Sequence, residues 1–253
     1  MKRRRQRSGR FRGRMSRRKH PTIEPGRDPR ELPAYGLSEA VRYLRIAPAT
    51  LRSWVLGRYY PTGAGSRFFK PIIYLPEPAW PVLSFVNLVE AHVLEAIRRD
   101  HDIALSKVRV AVKFLEQHLG SKHPLADHHF ETDGLDLFVQ RAGLLINLSQ
   151  SGQLAMREVV QAYLRRIDRD AKGFPIRLYP FTRKRQLEEP RAIVIDPFVS
   201  FGRAVLAGTG ISTAVIAERF KAGEAMEALA ADYGRNILEI QEAIRCELPL
   251  EAA

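Results

Sequence analysis

Side chains between positions 50 and 70 carry the chemistry of a polyanion reader: Thr50, Arg52, Ser53, Arg58, Tyr60, Arg67 and Lys70. Guanidinium and ammonium groups pair with phosphates, while Arg, Thr and Ser can also hydrogen-bond to base edges, so the set suits nucleic acid. A second group invites a metal reading. His118, His123, His128 and His129 crowd one segment with Asp127 beside them, and imidazoles with a carboxylate are what zinc takes. Their spacing matches no standard ligand pattern, and Pro124 and turn residues interrupt any helix that could align them, so we read a loop of solvated histidines without metal. No Ser, Cys or Thr stands in a nucleophile frame. Gly202, Gly208 and Gly210 lack both the GxGxxG spacing and a following lysine, and Glu188-Glu189 are neighbours in a polar linker. The expectation is a non-enzyme with no catalytic residue and no cofactor.

The elements that must position the first set are legible around it. In SEAVRYLRIAPATLRSWVLG, residues Ala40, Val41, Leu44, Leu51, Trp54 and Val55 recur at three- and four-residue spacing, which predicts two short helices with one buried face each. Ser38 is placed to cap the first. Pro48 suits the first turn of the second, and Gly57 its end. A β-ribbon follows: RYYP, a turn at TGAGS, then RFFKPIIYL. Helix, turn, helix, ribbon is the plan of a winged helix-turn-helix. Its second helix would present Thr50, Arg52, Ser53 and Arg58 to DNA, and its wing Tyr60, Arg67 and Lys70.

Charge supports a polyanion partner. Lys and Arg number 41 against 28 Asp and Glu, for a net charge of +13. Residues 1–30 hold thirteen basic and two acidic residues, so eleven of those charges lie in a tail that includes Arg3, Arg4 and Arg5. With almost nothing apolar to bury, the tail over 1–32 is expected to be disordered and to follow phosphates. No apolar stretch of signal-peptide or membrane length follows it, which predicts a cytoplasmic, nucleoid-associated chain without membrane contact. The single cysteine, Cys246, excludes an intrachain disulfide.

Beyond PEPAWP, Phe85, Leu88, Val89, His92, Val93, Ala96 and Ile97 form a helical stripe, and Val108, Val112, Leu115 and Leu119 a second. Two such helices after a winged reader are expected either to form a dimer contact or to complete the core of their own domain. Next, FET and LDLFVQ flank Asp133-Gly134, a hairpin signal, and LLINLS reads as a further strand. Leu154, Val159, Val160, Tyr163, Leu164 and Ile167 have helical spacing, and FPIRLYPF and RAIVI read as strands. From Ile193 to Glu247, a strand and a glycine-punctuated turn lead into three helices marked by Val215, Ile216 and Phe220, by Met226, Leu229 and Ala230, and by Ile237, Ile240 and Ile244.

Over about residues 36–120 this order resembles the MerR-type regulator domain. From Ile193 to Glu247 the chain resembles a small domain of unknown function found in antitoxins paired with PIN-type ribonuclease toxins. The residues carrying the second likeness are Ile195-Asp196-Pro197, Phe201-Gly202, Ala207 to Ser212, Ala222-Gly223-Glu224, Leu229-Ala230, Asp232-Tyr233, Ile240 and Ala243. Gly210 stands where that family more often has Arg. Together the two imply a VapB-type antitoxin of a type II toxin–antitoxin module. Such a protein would repress its own promoter by binding operator DNA and would hold a PIN-type ribonuclease through Asp196, Phe198, Phe201, Thr209 and Ile211. It would act as a homodimer or a larger toxin–antitoxin hetero-oligomer. The alternative is a stand-alone MerR-like regulator responding to a small ligand. The expected fold is mainly α with small β elements: tail 1–32, winged helix-turn-helix with dimerisation helices 33–125, a small α+β connector 126–190 and a three-helix domain 191–253.

Overall fold

A computed structural model describes residues 26–63, 65–99, 103–183, 187 and 190–248. Arg3, Arg4 and Arg5, with most of the basic tail, and the Glu188-Glu189 pair lie outside the described residues. Among the described residues the architecture is mainly α with small β elements, as the sequence patterns predict, the latter forming four two-stranded antiparallel sheets.

The segment expected to be the reader consists of α1 (Leu37–Leu44) and α2 (Pro48–Leu56), with Pro48 in the first turn of α2. Helix α1 begins two residues earlier than a Ser38 cap would allow. Strand β1 (Tyr35–Gly36) pairs with a later strand, and that pairing leaves the extended Gly36 as the N-cap. The ribbon consists of β2 (Arg58–Thr62) and β3 (Gly65–Phe69), paired Arg58 to Phe69 through Thr62 to Gly65. Gly57 makes this fold-back possible: its φ is +73°, and a Cβ there would lie 2.2 Å from the Phe69 carbonyl oxygen. Strand β4 (Val82–Leu83) closes the base of the reader on β1.

Helix α3 (Phe85–Arg99) departs most from its expected role. Instead of one buried stripe it is buried on nearly every side, with Phe85, Leu88, Val89, Ala91, Val93, Leu94 and Ile97 fully enclosed. It packs on α1, on the later helix α6 and on the 3-10 turn Pro29–Glu31. A helix enclosed by its own chain cannot serve as a dimer contact, so of the two expectations α3 takes the core role. Three buried polar residues on α3 find partners. Asn87 bonds to Ser84, to the Tyr74 carbonyl and to Glu90, Glu90 pairs with His123, and His92 Nε2 lies 3.1 Å from the Tyr163 carbonyl oxygen.

Helix α4 (Leu105–Leu119) is followed by a π-turn at Phe130–Gly134, then α5 (Leu135–Ile146) and α6 (Gln150–Leu164). The hairpin at Asp133-Gly134 and the strand LLINLS are therefore corrected to helix. Leu135, Phe138, Val139 and Ala142 repeat at three- and four-residue spacing and are buried, so burial of this stripe on α4 and α6 overrides the two-residue turn signal. Asn147 ends α5 in the left-handed conformation. Of the expected α6 stripe, Leu154 is exposed while Val159, Val160, Tyr163 and Leu164 are buried.

A hairpin of β5 (Ile167–Arg169) and β6 (Pro175–Leu178) leads to β7 (Ile193–Val194) and β8 (Val205–Leu206), with Leu178 bridging to Ile195. The chain ends in α7 (Thr213–Lys221), α8 (Met226–Tyr233) and α9 (Ile237–Glu247). Asn236 and Glu239 form a capping box at the start of α9. This unit is not separate from the reader. Arg42 pairs with Glu247 at 2.9 Å, the Ala204 N–H donates to the Tyr43 hydroxyl, and Arg45 donates to the Arg245 and Leu248 carbonyls. Glu242 is enclosed by Thr182, Arg183 and Arg245, which ties α9 to the connector as well. Burial opposes ionisation of Glu242, but the hydrogen bonds from Thr182 and Arg183 and the Arg245 charge outweigh it and hold the carboxyl below its ordinary range. Cys246 is buried too, and burial pushes its thiol up to about 12.

The tail boundary also moves. Asp28 caps the turn at Pro29–Glu31, and Arg30 pairs with Asp28 and with Asp170 at 2.8 Å while lying over the Phe174 ring. Residues 28–32 are thus part of the fold, held by an ion pair 140 residues away in sequence.

His92 makes the core sensitive to acid. Burial drives its pKa down to about 3, and its ring stacks on Phe181 with Tyr163 tilted against both. Below its ordinary value of 6.5 the unfolded chain takes up a proton that the fold excludes, so stability falls with pH. Denaturant unfolding should show stability declining from pH 7 to pH 5, with a shallower slope in His92→Leu. An unchanged slope would contradict this role.

Candidate nucleic-acid interface and partner-facing turn

The polyanion-reading residues divide once placed in the fold. Arg52, Arg58, Arg67 and Lys70 are exposed, and Thr50 and Tyr60 are half-buried. Ser53 is the exception and is corrected: it is buried, and its hydroxyl donates to the Thr50 carbonyl at 2.8 Å, one turn earlier in α2. It lies on the side of α2 that carries Trp54 and Leu51, which leaves Arg52 as the exposed long donor of that helix. The sequence around them is one-signed, although Arg42 pairs with Glu247 of α9. Between Glu39 and Glu77 the chain has no Asp or Glu, and its charged residues there are Arg42, Arg45, Arg52, Arg58, Arg67 and Lys70.

One member of this surface escaped sequence reasoning. Arg109 reaches from α4 to the wing, with its guanidinium carbon 3.6 Å from the centroid of the Phe69 ring. Its Nε and Nη2 are buried and have no hydrogen-bond partner among the described residues. Burial lowers its pKa. The contact buttresses the ribbon from the side of Arg58 and Tyr60. The only available signal was a lone Arg between Val108 and Val110, and that spacing does not reveal a contact with a strand forty residues earlier.

The histidine segment does not converge. His123 Nδ1 is 3.1 Å from buried Glu90, His129 Nδ1 is 3.0 Å from Asp127, and His118 stacks on Phe114. Burial works against protonation of His123, but the bond to Glu90 outweighs it and raises its pKa. No group of three metal-ligating side chains occurs among the described residues. His123 and His128 instead line a cleft with Arg30 and Phe174.

The expected toxin-binding residues also divide. Asp196 is buried, and its carboxylate accepts from the Phe198 N–H at 2.9 Å and from Arg177 Nε at 3.1 Å. Thr209 donates to the Leu206 carbonyl and accepts from the Ile211 N–H, and Ile211 packs against the core. These three shape turns, so the direct-contact expectation is corrected for Asp196 by its burial and its two internal bonds. Phe198 and Phe201 point outward, 61% and 97% exposed. The backbone beneath them is strained: Ser200, Phe201 and Gly202 have φ of 49°, 56° and 76°. A non-glycine residue in this region costs on the order of 1–2 kcal/mol. Gly202 is required for packing as well, since a Cβ there would lie 2.4 Å from the Tyr35 hydroxyl of the reader. A strained turn that holds a large apolar ring in solvent is a feature that folding alone does not select.

Residues 193–245, which contain this turn and the three helices, match the family described as "Protein of unknown function (DUF433)". Over 232 residues the chain is 31% identical to "Putative antitoxin VapB45" of Mycobacterium tuberculosis, spanning 85% of this chain and 93% of that protein. It is 24% identical over 230 residues to "Uncharacterized protein Rv2308" of the same organism, spanning 83% and 88%. Its fold is similar to the crystal structure of Rv2018 from Mycobacterium tuberculosis, with a TM-score of 0.60 and 25% identity, covering 85% of this chain and 98% of that one. No helix among the described residues is long and apolar enough to cross a membrane. With this identity sustained across most of both sequences, the chain belongs to the family of Mycobacterium tuberculosis VapB45.

Proposed function

We propose that this protein is the antitoxin of a type II toxin–antitoxin pair, capturing a PIN-type ribonuclease and repressing its own promoter. The observation that carries the reading is Phe201, almost wholly exposed on left-handed backbone within the segment 193–245. An apolar ring held out at a cost to the fold is an anchor awaiting a hydrophobic pocket, and such anchors dominate protein interfaces. Phe198 supplies a second ring beside it. The relationship to VapB45 supports a toxin as the occupant. The acid-free stretch around α2 and the wing supports the DNA half of the proposal, with Arg52 reading a base edge and Arg58, Arg67 and Lys70 holding phosphates. Repression would place the protein at the nucleoid. A dimer on an inverted repeat would have to form through surfaces other than α3.

Co-expression with the product of the adjacent reading frame tests the first half. The expected result is a stoichiometric complex whose ribonuclease activity emerges only when this chain is removed. A chain that purifies alone and still binds its upstream DNA would replace this reading with the stand-alone, ligand-responsive regulator. Phe201→Gly should relieve the left-handed strain, raising stability by up to about 1 kcal/mol in denaturant unfolding. It should also release the partner. Retained capture would remove Phe201 from the interface. Arg52→Ala should weaken operator binding by roughly 1–3 kcal/mol and relax sequence preference at one position, as read by fluorescence anisotropy. An unaltered preference would remove Arg52 from base reading.

A further inference from the structure

Strand register sorts the β2–β3 ribbon into two faces. Directly paired residues of an antiparallel ribbon share a face, and successive pairs alternate. Arg58, Phe69, Tyr60 and Arg67 therefore lie on one side, and Tyr59, Phe68, Pro61 and Ser66 on the other. Helix α4 brings a third cation to the first side. The Arg109 guanidinium carbon lies 3.6 Å from the Phe69 ring centroid, and Tyr60 meets the same ring at its edge. Arg58 and Arg67 are exposed, and Arg109 is half-buried.

None of these three arginines forms an ion pair among the described residues. Their own segments offer no countercharge: no Asp or Glu lies between Glu39 and Glu77, and none from Ile103 to Leu115. Arg109 is the member that folding does not account for. Its Nε and Nη2 are enclosed without a hydrogen-bond partner among the described residues. Taking a cation partly out of water unpaired opposes folding, and stacking on a ring offsets only part of that. Like charges gathered on one face repel as well. An anion bound at this face would relieve both.

We infer that Arg109 binds a backbone phosphate of duplex DNA, and that the duplex lies against the Arg58–Tyr60–Arg67 face of the ribbon. The inference rests on the DNA-binding reading. It adds which face of the ribbon meets the duplex, and a contact from α4, a helix outside the α1–α2 pair. The spread of the cations selects the occupant. Arg58 and Arg67 belong to successive same-face pairs, about 7 Å apart along the ribbon, and Arg109 stands on a separate helix. That arrangement suits the repeated phosphates of a polymer better than one small anion. A phosphate contact positions the duplex and carries no sequence information, so Arg109 should act alike on every sequence, unlike Arg52.

Anisotropy titrations of the full-length protein over a series of salt concentrations test this, with duplex DNA from immediately upstream of its own coding region and a scrambled duplex of equal length. Affinity should fall linearly with salt on logarithmic axes. Arg109→Met keeps an unbranched side chain for Phe69 but removes the charge. It should lower that slope by about one and weaken both duplexes on the order of tenfold. Arg109→Gln, a second neutral variant, should do the same, whereas Arg109→Lys should restore the slope while recovering only part of the affinity. Thermal unfolding of each variant shows that the fold persists. An unaltered slope in both neutral variants, whether or not binding weakens, would make Arg109 a brace for the ribbon and overturn the inference while leaving the DNA-binding reading standing. Loss of the adjacent gene's product by the neutral variants, with DNA binding unchanged, would assign the three arginines to an acidic protein surface and overturn it likewise. Failure of the unaltered protein to bind either duplex would overturn the DNA-binding reading itself, and this contact with it.

Discussion

Burial of α3 on nearly every side governs how the other elements are arranged. A fifteen-residue helix enclosed by its own chain must be covered from every direction, and the cover comes from distant parts of the sequence: α1 and β4 of the reader, α6 and β6 of the connector, and the turn at Pro29–Glu31. This requirement fuses the reader to the connector. It also imposes polar partners, because Asn87, Glu90 and His92 leave water with the helix and must bond internally. The cover makes the helix the centre of a single core and removes it from the surface available to partners.

Helix α9 extends the same core to the C-terminal unit. Its contacts with α1, made through Glu247, the last carbonyls of the helix and neighbouring Ala204, set the three-helix unit directly on the reader. The exposed turn at Phe201 follows from that docking. Gly202 lies against Tyr35, Asp196 fixes the start of the turn, and Ser200, Phe201 and Gly202 are left-handed, with Phe198 and Phe201 outside. The protein therefore holds two surfaces of opposite character on one scaffold: an exposed cationic stretch over α2 and the β2–β3 ribbon, and an apolar turn that rests on Tyr35.

Much of this was legible in the sequence where the signal is local. Pro48 and Gly57 delimit α2 as their backbone preferences require, the alternation and turn residues after Gly57 specify the ribbon, and the Val215, Leu229 and Ile240 stripes mark the final helices. The misreadings share one cause, which is that local signals were weighed without their tertiary partners. Asp133-Gly134 looks like a hairpin until the Leu135–Ala142 stripe finds α4 and α6 to pack on. Ser53 has a reader's chemistry, yet its place on α2 turns it inward. Asp196 suggests a contact residue, but two internal bonds occupy it. Arg30 seems to belong to a basic tail until it meets Asp170. Arg109, a lone Arg between Val108 and Val110, carries no local sign of its contact with Phe69.

The strained turn at Phe198–Phe201 is the proposed meeting point of this chain with its protein partner. Hydrogen-exchange mass spectrometry of the full chain, alone and with the adjacent gene's product, addresses it without any substitution. Strong partner-dependent protection is predicted across residues 196–212, with α2 and the wing exchanging as in the free protein. Protection confined to α2, the wing or the α5–α6 surface, with 196–212 unchanged, would place the partner contact elsewhere.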